Sequence, residues 1–66
     1  MKKYNGYEIK EGMSINTDTG YLVVNDEHFG DSWWCSEYEV NEEGNFEYRG
    51  EFLLTLSDIN RRCSMY

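Results

Sequence analysis

The chain has 66 residues, and its 13 acidic and 6 basic side chains give a formal net charge of −7 at pH 7. This charge argues against direct binding to nucleic acid, because phosphate contacts require a basic surface, and an anionic membrane would repel the chain as well. We predict one domain, residues 1–66, whose marginal core is stabilised by some of its six Tyr, three Phe and two Trp.

The same acidity favours a basic partner and fast, salt-sensitive association, although it would also serve solubility alone. The first twelve residues, MKKYNGYEIKEG, contain no apolar stretch typical of a signal peptide, and we expect a cytoplasmic protein. Cys35 and Cys63 are then expected to be reduced, with a disulfide between them as the alternative. With His28 as the single histidine there is no zinc-ligand spacing, and we predict no metal and no cofactor.

The first half of the chain predicts three short strands separated by turns. Alternating apolar and polar side chains indicate strands at residues 7–10 and 13–16, and the β-branched run at 21–24 indicates a third. The tetrapeptide Thr-Asp-Thr-Gly at 17–20 fits a type I turn with its glycine in the left-handed region. Residues 25–31 are predicted to be a loop.

The second half predicts a hairpin and a helical turn. Asn-Glu-Glu-Gly at 41–44 repeats the same turn pattern and joins a strand at 32–40 to one at 45–56, with a bulge or bend expected at Gly50. Ser57 is the expected cap of a short helical turn, whose C-terminal end suits the positive charges of Arg61 and Arg62.

Three segments resemble the Src-homology-3-like small barrels: IKEGM at 9–13 leading into Ile15, GYLVV at 20–24, and LTLSDI at 54–59. The resemblance covers most of the chain. With the strand pattern it implies an all-β fold: a small five-stranded antiparallel sheet or partly open barrel with one short C-terminal helical turn. It does not imply proline-rich ligands, because YNGY at 4–7 is not the aromatic motif of the peptide-binding members.

Trp33 and Trp34 are adjacent in a predicted strand, so their side chains must point to opposite faces. Trp33 shares its face with Cys35, Glu37 and Glu39, whereas Trp34 shares its face with Ser36, Tyr38 and Val40. We predict that the Trp34 face is buried, because burying the other face would enclose two unpaired carboxylates. The next strand then turns Phe46, Tyr48, Phe52 and Leu54 inward.

The predicted outer face is the candidate partner-binding surface. It consists of Trp33, Glu37, Glu39, Glu47, Arg49 and Glu51. Its carboxylates repel one another unless a basic partner covers them, and a Trp beside carboxylates suits an incoming Lys or Arg. The alternatives are that Trp33 is covered by the N-terminal segment, by Arg49 or by a second copy, or that a bulge turns both Trp residues inward.

The sequence offers little support for catalysis, and we predict that the protein is not an enzyme. There is no nucleophile-elbow or phosphate-loop motif, and the acids around His28 lack the spacing of a calcium loop. We therefore predict a non-catalytic acidic protein-binding domain that docks a basic surface.

A sharper hypothesis is nucleic-acid mimicry, in which the carboxylates imitate phosphates and block a nucleic-acid-binding enzyme. In size, charge and aromatic content the chain is similar to small acidic anti-restriction and anti-CRISPR inhibitors of phages and mobile elements. The alternative is a homodimeric structural or accessory protein of a phage or mobile element. A weaker idea is a reader of methylated Lys or Arg, built from Trp33 with Tyr48 or Tyr21.

Overall fold

Four antiparallel strands pair in the order in which they occur along the chain, in a computed structural model that describes residues 3–63. The elements are β1 (Ser14–Asn16), β2 (Gly20–His28), β3 (Ser32–Val40), β4 (Phe46–Thr55) and a helix, α1 (Leu56–Arg62). The predicted small antiparallel sheet with a short C-terminal helix is confirmed in outline. The number of strands is four and not five, and β1 and β4 are the two edges of an open sheet.

The strand predicted at residues 7–10 is absent, and a turn lies there instead. The backbone N–H of Glu8 donates to the carbonyl of Asn5 at 3.0 Å, and the Glu8 carboxylate accepts from the N–H of Asn5 at 3.2 Å. Conversely, β2 runs past Val24 into the predicted loop and ends at His28. A register shift around Asn25 lets it stay paired with β3 over this longer range.

The predicted β3–β4 hairpin is confirmed. At its turn the N–H of Asn41 donates to the carbonyl of Asn45 at 2.7 Å, and Oδ1 of Asn41 accepts the N–H groups of Glu43 and Asn45. The bulge expected at Gly50 is also present. The pairing register shifts opposite this residue, whose φ of 130° is a conformation that residues with a side chain rarely adopt.

Gly20 does not take the predicted left-handed conformation, but its lack of a side chain is needed for another reason. A Cβ at this position would lie 2.0 Å from the carbonyl oxygen of Tyr38. The close approach of β2 to β3, rather than the turn, therefore requires this glycine.

Helix α1 begins with a capping box on Thr55, two residues before the predicted cap. The Thr55 hydroxyl accepts from the N–H of Asp58, and the Asp58 carboxylate accepts from the N–H of Thr55, both at 3.2 Å. The hydrogen bond from the Thr55 N–H to the Asp58 carboxylate lowers the pKa of Asp58. Arg61 and Arg62 lie in the last turn, as predicted. No helix in the described residues is long and apolar enough to cross a membrane.

One face of the sheet, the covered face, packs beneath α1 and the segment before β1. The core contains Ile9, Ile15, Leu22, Val24, Trp33, Cys35, Leu54, Ile59 and Cys63. The N-terminal segment is tied to the helix through the side chain of Asn60. Its Oδ1 accepts the N–H of Tyr4 at 2.7 Å, and its Nδ2 donates to the Tyr4 carbonyl at 2.9 Å.

The predicted phase of β3 is wrong: Trp33 is 2% exposed and Trp34 is 37% exposed. The carboxylates that share the face of Trp33 are not buried without partners. Glu37 pairs with Arg62 of the helix, and Glu39 pairs with Arg49 at 3.1 Å. The N-terminal segment covers Trp33, since a Cβ placed on Gly6 would lie 4.0 Å from the indole ring. This is one of the alternatives considered above.

Because Trp33 fills the core, we expect Trp33→Ala to lower the free energy of unfolding by about 3–5 kcal/mol. Trp34→Ala is the matched control and is expected to cost much less, because its side chain remains partly in water. Urea unfolding followed by far-ultraviolet circular dichroism measures both. A larger loss for Trp34→Ala would contradict the observed strand phase.

The capping box of α1 contributes to the stability of the protein. Thr55→Ala removes the hydroxyl that caps α1 and is expected to cost about 1 kcal/mol. Ser57→Ala, a change of similar size inside the helix, is expected to be nearly neutral because Ser57 caps nothing. Equal losses in thermal melts of the two variants would show that the cap is misassigned.

Candidate functional site

The sheet face opposite α1, called here the open face, has no layer of described residues packed over it. The strand register places aromatic and apolar side chains along it, because paired residues in antiparallel strands point to the same side. Five large side chains on this face are exposed: Trp34, Val40, Phe46, Tyr48 and Leu53. Exposed apolar side chains gathered on one sheet face usually mark an interaction surface.

Aromatic rings cross three strands at the hairpin end of the open face. The rings of Tyr21 and Tyr38 stack with centroids 4.8 Å apart and planes at 13°. Tyr48 follows on the next strand at 5.5 Å from Tyr38, and Phe46 meets Tyr21 edge-on at 4.9 Å. We call these four residues the aromatic row. Their mutual packing limits rotamer freedom, so little side-chain entropy remains to be lost when a partner binds.

A polar cluster occupies the middle of the open face. The Nδ2 group of Asn25, at the β2 bulge, donates to Oγ of Ser36 and to Oε2 of Glu51, both at 2.8 Å. Beyond this cluster lies Trp34, whose ring centroid is 6.2 Å from that of His28. The open face therefore has an aromatic group at each end and a carboxylate between them.

Acidic side chains also surround the β3–β4 turn. Glu39, Glu42, Glu43 and Glu47 line a shallow depression there together with Arg49. The salt bridge from Arg49 to Glu39 neutralises one of these carboxylates. The turn, which adjoins the aromatic row through Val40 and Phe46, therefore stays strongly acidic.

The structure divides the predicted site residues among three places. Trp33 is in the core and cannot be an exposed anchor, nor can it form an aromatic cage for methylated Lys or Arg. Glu37 is held by α1, whereas Glu39, Glu47 and Arg49 do lie together near the turn. Glu51 lies on the open face. Of the residues predicted to point inward on β4, only Leu54 is buried.

Trp34, Phe46 and Tyr48 are exposed, although the sequence pattern predicted that they point inward. Cys35 was the available signal, because a small apolar residue on the face of Trp33 is typical of a core. Cys35 is fully buried, and this burial raises the pKa of its thiol to about 11. Cys63 is buried as well, and both cysteines are thiols.

Residues 3–63 contain no group of three or more His, Cys, Asp or Glu side chains placed to hold a metal ion. Comparisons with protein-family models, curated proteins and solved structures give no significant match to the chain. The resemblances to Src-homology-3-like barrels and to phage inhibitors thus gain no support from relatives, and the geometry of the open face carries the functional argument.

The pair between Glu37 and Arg62 links β3 to α1, with 17% of the Glu37 side chain and 41% of the Arg62 side chain exposed. We expect Glu37→Gln to destabilise the protein by about 0.5–1 kcal/mol, in line with a solvent-screened pair. Glu47→Gln has no described ion pair to lose and serves as the control. A double-mutant cycle with Arg62→Gln in urea unfolding measures the coupling, and zero coupling would contradict the pair.

Proposed function

We propose that this protein is a non-catalytic acidic binding domain that docks a basic protein surface through its open face. The observation that carries the proposal is the exposed aromatic face, whose described strand positions include no Lys or Arg. On a chain of net charge −7, such a face attracts cationic groups and offers large apolar contacts once they arrive.

Aromatic anchors would supply most of the affinity. Tyr and Trp are enriched among the residues that dominate binding energy at interfaces, and Tyr48 and Trp34 are both exposed here. Their rings also attract Lys and Arg side chains through cation–π interactions. Acidic groups around the β3–β4 turn would add steering, which speeds association and makes it sensitive to salt.

The partner in a more specific form of this proposal is a nucleic-acid-binding enzyme. A nucleic-acid-binding enzyme presents a basic groove, and carboxylates held near one another can occupy the positions of phosphates there. Glu42, Glu43 and Glu47 lie around one hydrogen-bonded turn, which supports this form of the proposal. The inhibitor would then act by excluding nucleic acid from the groove.

A homodimer through the open face is the competing arrangement, and electrostatics disfavours it. Stacking two open faces would enclose Glu51 and Asp26 of both copies in one interface, where these carboxylates repel one another. No cation from the described strand positions of either face would offset this repulsion. A partner of opposite charge removes the conflict.

The proposal predicts that Tyr48→Ala abolishes capture of basic proteins from a bacterial lysate at low salt, because it removes an exposed ring of the aromatic row. Tyr7→Ala is the matched control: Tyr7 is 96% exposed but lies in the N-terminal turn. Immobilised wild type and both variants are compared, with the captured proteins identified by mass spectrometry and each interaction repeated with the purified partner.

Loss with Tyr48→Ala, retention with Tyr7→Ala and weakening at higher salt together would support docking through the open face. Equal capture by all three proteins would contradict it. Recovery of the protein alone, with a molar mass in solution that rises with concentration, would favour the homodimer instead.

A further inference from the structure

We infer that Glu51 is the centre of an arginine-binding site, in which the guanidinium of a partner pairs with its carboxylate and stacks on an adjacent aromatic ring. This inference rests on the proposed docking of a basic partner and adds the kind of side chain that is recognised. It assigns one specific contact, an arginine side chain, to the open face.

The carboxylate of Glu51 is oriented but not neutralised. The amide of Asn25 donates to Oε2 at 2.8 Å, while Oε1 accepts no hydrogen bond from the described residues. The three salt bridges in residues 3–63 involve Glu39, Asp58 and Glu37, and none includes Glu51. An ionised group with one oxygen held and the other available is suited to a donor from outside.

Aromatic side chains flank this carboxylate on both sides. Glu51 of β4 pairs with Ser36 of β3. Trp34 and Tyr38 lie two residues before and two residues after Ser36, so they are on β3 and on the same face. Such neighbours are spaced by about 6.8 Å. Diagonal neighbours across two strands lie about 7–8 Å apart, within reach of long and aromatic side chains, so a guanidinium paired with Glu51 can extend to one of these rings.

Guanidinium fits this arrangement better than ammonium does. It is planar, so it can donate two N–H groups to a carboxylate while its face lies on an aromatic ring. The ammonium of lysine is compact and strongly hydrated, and it gains only the charge attraction. The chain's three arginines do not compete. Arg49 and Arg62 pair with glutamates on the covered face, and Arg61 pairs with Asp58 within the helix.

The test uses two synthetic peptides of equal length and charge as probes, one alternating Arg with Ser and the other alternating Lys with Ser. Fluorescence anisotropy at low salt measures their affinity for the full chain. We expect the wild type to bind the arginine peptide roughly tenfold more tightly, the scale of one charge-assisted hydrogen bond. This comparison uses only the wild-type protein, so it does not depend on the folding of any variant.

The matched variants are Glu51→Gln and Glu47→Gln, which remove the same charge from the same strand. The glutamine at position 51 can still accept from Asn25, so thermal melts should show both variants folded. We expect Glu51→Gln to abolish the preference for arginine and Glu47→Gln to preserve it.

Equal binding of the two peptides by the wild type, or equal effects of the two variants, would overturn the arginine site while leaving docking of basic partners intact. Failure of the wild type to bind either peptide would overturn the arginine site directly. The proposed function would fail separately, if the lysate experiment also yielded no basic partner.

Discussion

The burial of Trp33 is the constraint on which the rest of this structure depends. Its indole is enclosed between β3 and the N-terminal segment, and a Trp side chain can bury roughly 150–250 Å². The described chain supplies one short helix and one N-terminal segment as covering layers, and both pack on the face of Trp33. A single covering layer protects a single face, so the Trp34 side of the sheet is left in contact with water.

The same arrangement places most of the described basic side chains away from the open face. Arg49 and Arg62 neutralise glutamates on the covered face, Arg61 pairs within the helix, and Lys3 donates to the carbonyl of Asn60. The described strand positions of the open face include carboxylates and aromatic rings but no Lys or Arg. Fold and proposed function are connected here, because the cations that complete the covered face are no longer available to shield the open one.

An aromatic face in water is also a liability, since exposed apolar surface and strand edges promote aggregation. The chain has two features that oppose this outcome. Its net charge of −7 keeps copies apart, and the edge strand β4 is interrupted by a bulge at Gly50 and carries Glu47, Arg49 and Glu51. A basic partner would overcome the charge barrier, whereas a second acidic copy would meet it.

Parts of this fold could be predicted from the sequence because they depend on local interactions. The turn at 41–44, the bulge at Gly50 and the helical turn with its terminal arginines depend on residues a few positions apart. The phase of β3 was predicted wrongly because the groups that accompany the Trp33 face lie far along the chain, such as Arg62, which pairs with Glu37 from 25 residues away. The location of the candidate site follows from that distant pairing and from the packing of the N-terminal segment. The sequence therefore determined that the two tryptophans lie on opposite faces, and the tertiary packing decided which of them is exposed.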